Sequence, residues 1–160
     1  MKALLLLTAL ALSVVGIAEA QVIRHPASGS PAIEVDLPAD WTSTIDDSDN
    51  LIITSANKTV AYSITVAPES RSTAEIAKES METAGGEEIA DQGAGSITPY
   101  AGSLFTGILP ISGMRLKLRM IVVKPDPDHV VSVTLVANPA ATTASLGEAA
   151  LALSNMKVVQ

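Results

Sequence analysis

The chain has 160 residues, ten Lys and Arg against 17 Asp and Glu, and no cysteine. A net charge of −7 with four aromatic residues (Trp41, Tyr62, Tyr100, Phe105) argues against a nucleic-acid binder, which needs clustered Lys and Arg on the phosphates. Without cysteine there is no disulfide framework, no thiol chemistry and no lipid attached through a lipobox thiol.

The first 20 residues carry the three parts of a secretory signal peptide. Lys2 is the positive n-region, Ala3 to Val15 is an uncharged apolar run, and Ala18-Glu19-Ala20 is an A-x-A cleavage site. Cleavage after Ala20 leaves Gln21 first and the net charge unchanged, because Lys2 and Glu19 leave together. A membrane anchor is the competing reading, but the run ends at Ile17, marginal for a span of about 20 residues, and no basic stop-transfer cluster follows. The expected product is periplasmic or secreted, and is not inserted in a membrane after cleavage. The absence of disulfides in an exported chain favours a bacterial source.

Residues 21–31 (QVIRHPASGSP) have no sustained period and read as a flexible leader, with one domain over residues 32–160. Ile33-Glu34-Val35-Asp36-Leu37 alternates strictly, as a half-buried strand does. Strands are then predicted at 41–45, 51–55 and 60–66, joined by turns at Asp46-Asp47-Ser48-Asp49-Asn50 and Ala56-Asn57-Lys58. Ser72-Thr73-Ala74-Glu75 is a capping box that opens a helix to about Ala84, ended by Gly85-Gly86. Ile76, Ala77, Met81 and Ala84 form its apolar stripe, and Lys78 and Glu82 make an i,i+4 pair on the wet side.

Glu87 to Gly95 reads as a polar, glycine-containing connection. Strands follow at 96–100, 103–109, 114–123 and 129–136. A second S-x-x-E box, Ser145 to Glu148, heads a nearly apolar C-terminal helix. Its predicted packing face is Leu146, Ala149, Ala150, Leu153 and Met156, widened by Leu151, with Lys157 near its end. Hairpins with inserted helices argue an α+β fold: a central antiparallel sheet of about six or seven strands and two main helices.

The stretch Ile33-Glu34-Val35-Asp36-Leu37-Pro38-Ala39-Asp40-Trp41 resembles the strand-Pro-x-x-Trp opening of PsbP-like and DcrB-like domains. The element order from Ile33 to Val159 follows theirs. The resemblance implies an α-β-α sandwich around the antiparallel sheet. It also implies a binding role, since members of that superfamily mostly bind other proteins: photosystem II subunits, a Ran-type GTPase, or secreted effectors held by chaperones. It brings no shared catalytic motif, and fold by itself does not assign function.

No catalytic, cofactor or metal set is predicted. Asp126-Pro127-Asp128-His129 reads as a solvated hairpin turn, because Pro127 spaces the carboxylates and a second ligand set is missing. His25 lies in the leader. Asp46, Asp47 and Asp49 lack the glycine and later glutamate of a calcium loop. Glu87-Glu88 reads as solvating charge, and Asn57-Lys58-Thr59 matches a glycosylation sequon that in a bacterium is a plain turn. There is no G-x-S-x-G elbow and no phosphate-binding glycine loop.

Two features suggest partner binding. Arg115, Lys117 and Arg119 fall on one face of one strand, with Met114, Leu116, Leu118 and Met120 on the other. In an acidic chain this stripe is either a docking surface for an acidic partner or is neutralised by acids on neighbouring strands, the plainer reading. Trp41 is either a partner anchor or, as its place after a strand and a proline favours, a core residue. The function expected is therefore a non-catalytic protein-binding or accessory module acting on another envelope protein. A small secreted hydrolase or ligand-processing enzyme and an inhibitor or immunity-type protein are the alternatives.

Overall fold

The computed structural model describes residues 21–160; the signal peptide predicted over residues 1–20 lies outside them. Strand β1 (Gln21–His25) opens the fold and pairs antiparallel along its length with β2 (Ala32–Leu37), from Gln21 opposite Leu37 to His25 opposite Ile33. The flexible leader expected over 21–31 is thus corrected for its first five residues. β2 has two edges to satisfy, and the Gln21–His25 backbone supplies one of them. After His25 the chain bends, and the Arg24 guanidinium donates to the carbonyls of Pro26, Ala27 and Gly29 at 3.3, 3.3 and 2.8 Å.

The alternating segments form the strands they predict: β3 (Thr42–Ile45), β4 (Leu51–Thr54) and β5 (Val60–Pro68). Helix α1 (Thr73–Thr83) starts at the predicted capping box. The Ser72 hydroxyl accepts from the Glu75 N–H, and the Glu75 carboxylate accepts from the Ser72 N–H. Four long strands and a second helix follow: β6 (Glu87–Ile97), β7 (Tyr100–Ile111), β8 (Met114–Asp126), β9 (His129–Ala137) and α2 (Thr143–Asn155). A short β10 (Lys157–Val159) closes the chain.

Three elements depart from expectation. The polar stretch 87–95 is part of β6 rather than a connection; it is an edge strand with register breaks, where Gly93 and Glu88 take φ of 82° and 52°. α2 is capped by Thr142, whose hydroxyl accepts from the Ser145 N–H at 3.2 Å, not by Ser145. Ser145 is instead buried under the helix, where it accepts from the Asn57 amide at 2.7 Å. Lys157 lies beyond the helix end, in β10.

The large sheet has the order β3-β4-β5-β9-β8-β7-β6, antiparallel throughout; a second sheet has the order β1-β2-β10. Side-chain alternation gives the large sheet two apolar faces. On one, Leu118, Met120, Val122 and Phe105 pack under Ile76, Ala77 and Met81 of α1. On the other, Tyr62, Ile64, Ile121, Val131 and Val133 pack against α2 and the small sheet through Ala149, Ala152, Met156, Ile33 and Val35. The result is the predicted helix–sheet–helix layering, with the small sheet sharing the α2 layer.

Trp41 is in this second core, 5% exposed. Its ring stacks on Tyr62 with centroids 6.3 Å apart, and its Nε1–H donates to Glu148 Oε2 on α2 at 3.2 Å. It is therefore a core residue and is withdrawn as a partner anchor. At Gly102 on β7 the β8 backbone leaves no room for a side chain: a Cβ there would stand 1.9 Å from the Val122 carbonyl oxygen.

Candidate functional site: a basic, apolar-walled groove beside α2

α2 buries only part of its apolar surface. Ser145, Ala149, Ala152 and Met156 face the core, whereas Leu146 is 37% and Leu151 62% exposed. Of the predicted packing face, Ala149 and Met156 are buried in the core and Leu153 packs partly against it, whereas Leu146 and Ala150 are exposed, so only the Leu146, Ala150 and Leu153 flank borders open space. Those three residues, spaced four and three apart, are a second apolar ridge. They look onto the stretch of large sheet that α2 leaves uncovered.

That gap is a groove in two adjoining parts, of about 410 and 340 Å³, with Arg119 common to both. β7 contributes Leu104, Thr106 and Ile108 to its floor, β8 contributes Lys117, Arg119 and Ile121, and β9 contributes Leu135 and Ala137. Leu146 walls one part, and Ala150 and Leu153 wall the other. Period-two alternation places the odd-numbered β8 residues here, on the face opposite α1.

The basic stripe does not behave as one unit. Arg115, at the hairpin end, is neutralised as the plainer reading requires: its guanidinium donates to Glu87 at 3.0 Å and to Glu88 at 2.6 Å. Lys117 and Arg119 are in no ion pair among the described residues. The register explains this. Lys117 lies between Ile108 and Ala137, and Arg119 between Thr106 and Leu135, so no carboxylate occupies a cross-strand position. Arg119 acts on Tyr62, whose phenol is pushed well up by burial while the Arg119 charge pulls the other way. The Tyr62 hydroxyl donates to the Ala149 carbonyl at 2.5 Å, so it fixes α2 rather than meeting a ligand.

The remaining titratable candidates lie outside the groove lining. His129 Nδ1 is 3.0 Å from both Asp126 carboxylate oxygens across the β8–β9 turn. Partial desolvation raises the Asp126 carboxyl, but hydrogen bonds from His129 and the Asp128 N–H outweigh it and leave it below its ordinary value. Asp46 closes its own turn, accepting from the Ser48 and Asn50 N–H groups at 2.9 Å each and from the Asn50 amide at 3.0 Å, and these Asn50 bonds lower its carboxyl. At the head of α1, the Arg71 guanidinium holds Glu69 down to about 2. His25 is 4% exposed and lines a separate concavity of about 400 Å³ between β1 and β3, with Ile23, Ile45 and Asp49. Among the described residues no three His, Asp or Glu side chains converge as metal ligands would, and no helix is long and apolar enough to cross a membrane.

No protein-family model and no curated protein sequence matches the chain. Solved structures do. CyanoP, the PsbP of the cyanobacterium Synechocystis sp. PCC 6803, superposes with a TM-score of 0.63 at 11% identity, over 91% of this chain and 95% of that one. LpqN, a protein involved in cell envelope biogenesis of Mycobacterium tuberculosis, superposes with a TM-score of 0.61 at 14% identity, over 88% and 91%. The fold is thus PsbP-like along nearly the whole described chain.

Proposed function

We propose that this chain of PsbP-like fold is an exported, non-catalytic accessory module of the bacterial cell envelope that holds an acidic partner protein in the α2 groove. One observation carries the reading: among the described residues Lys117 and Arg119 are in no ion pair, and they line an apolar-walled groove on a protein of net charge −7. A cation left without its own carboxylate beside leucine and alanine side chains is complementary to a partner surface mixing acid and apolar groups. The signal-like N-terminus and the envelope role of LpqN support the location. The hydrolase alternative would place a nucleophile or acid–base pair in a pocket. The one carboxylate–imidazole pair described, Asp126 with His129, lines neither part of the groove.

Affinity capture from envelope extract tests the proposal. The Lys117→Glu, Arg119→Glu double variant should lose its partner by about thirtyfold or more, equivalent to about 2 kcal/mol. Its circular dichroism should be unchanged. Arg115→Ala, which removes a cation already neutralised within the fold, should keep the partner. Equal capture by the double variant and the unaltered protein would remove the groove from the account.

A further inference from the structure

We infer that the partner segment entering the groove is an amphipathic helix carrying two carboxylates one turn apart along one flank. The inference rests on the groove being the binding surface. The backbone around it sets the first condition. β7, β8 and β9 are each hydrogen-bonded to a neighbour on both sides, in the order β5-β9-β8-β7-β6. β6, an edge strand, borders the second part of the groove through Ala94, Gly95 and Ser96, but the part that holds Lys117 and Arg119 is lined by β7, β8, β9 and α2 alone and has no free strand edge. An extended segment laid there finds no ladder to join, and the amide groups it turns toward the leucines lose water without replacement. A helix arrives with its amides already bonded to one another.

The wall sets the second condition. Leu146, Ala150 and Leu153 form one ridge of α2, about 10 Å from first to last at about 1.5 Å per residue. That is two helical turns, and the small Ala150 at its middle permits the close approach of a second helix. The charges set the third. Lys117 and Arg119, two residues apart on a strand, are separated by about 7 Å. Residues at i and i+4 of a helix are about 6 Å apart, so two glutamates at that spacing meet both cations. A single-headed acyl anion answers only one of them. Helix α1 of a second copy does not fit: its apolar residues Ile76, Ala77 and Met81 are buried against its own sheet, and α2 of a second copy, though it exposes Leu151, carries one carboxylate, Glu148, and not two.

The test uses the purified protein and synthetic peptides of about five turns, followed by fluorescence anisotropy. The first has a Leu/Ala face flanked by two glutamates at i,i+4; the second has two central prolines; the third has lysines in place of the glutamates. Dodecanoate serves as the acyl anion. The helical acidic peptide should bind, the proline and lysine peptides at least tenfold more weakly, and Lys117→Glu, Arg119→Glu should weaken the first at least tenfold. Equal binding of the proline-broken peptide, with that binding still lost in the double variant, overturns the helix and keeps the groove. Dodecanoate binding tighter than the helical peptide, or no binding of that peptide, also overturns the helix. Binding of the acidic peptide that ignores the double variant overturns both.

Discussion

Trp41→Ala should destabilise the protein by about 3–5 kcal/mol, the range for deleting a buried tryptophan. The indole is 5% exposed, stacks on Tyr62 and bonds Glu148, so it joins the start of β3 to β5 and to α2 at once. Removing it leaves a cavity between elements that cannot all collapse inward, and it strips the Glu148 carboxylate of its indole donor. A thermal melt should fall by roughly 10 °C for a domain of this size. Trp41→Phe, which keeps an aromatic ring on Tyr62 and loses only the N–H, should recover more than half of the loss. Below its melting point the alanine variant should still bind the partner. Lost binding with stability unchanged would make Trp41 a surface anchor after all and would contradict its place in the core.

The second large effect is expected from one methyl group. Gly102→Ala puts a Cβ 1.9 Å from the Val122 carbonyl oxygen, 2.8 Å from its carbon and 3.0 Å from Val123 Cα. All three are backbone atoms of β8, so no rotamer change relieves the clash. β7 must lift from β8 and give up ladder hydrogen bonds where each strand is paired on both sides. Overpacking typically costs about 1–3 kcal/mol and occasionally more, and this contact belongs at the upper end. Gly147→Ala is the counterpart. It lies inside α2 with nothing within 4 Å of the added carbon, so it should stabilise the helix by about 0.5–1 kcal/mol. Urea midpoints for the two variants should therefore move in opposite directions. A Gly102→Ala midpoint within error of the unaltered protein would mean that β7 and β8 are not held at this separation.

The parts of the fold legible in the sequence are those whose cause is local. Period-two runs such as Ile33 to Leu37 and Val60 to Val66 carry their burial in their own composition, and the Ser72–Glu75 box closes within four residues. The elements missed are made by partners far along the chain. β1 is a strand because β2 has a free edge, and β10 has only three residues, too few to show a period. β6 is polar because it is an edge, where charge, glycine and bulges discourage further pairing. The box at Ser145 misplaces the α2 cap because Glu148 turns to Trp41, 107 residues away, instead of back to the helix start.

The groove divides the same way. The spacing of Arg115, Lys117 and Arg119 is visible in the sequence, but which of them is neutralised depends on the register of β7 and β9. Only Arg115 comes within reach of Glu87 and Glu88, while Lys117 and Arg119 face isoleucine, threonine, leucine and alanine. The wall was hidden because α2 is apolar nearly all round. Leu146 and Ala150 carry no mark that distinguishes a core-facing ridge from one facing an open groove, Leu153 borders both core and groove, and only the packed position of Ala149, Ala152 and Met156 makes the choice.

Site-specific photocrosslinking in intact cells addresses the groove without presupposing its occupant. A photoreactive side chain at position 146, in the groove wall, is compared with one at the exposed Ile45, on the far edge of the large sheet. Position 146 should yield a discrete adduct of higher mass that disappears when Lys117 and Arg119 are changed to glutamate, and position 45 should yield none. An adduct formed from position 45 and not from position 146 would place the working surface elsewhere on the molecule.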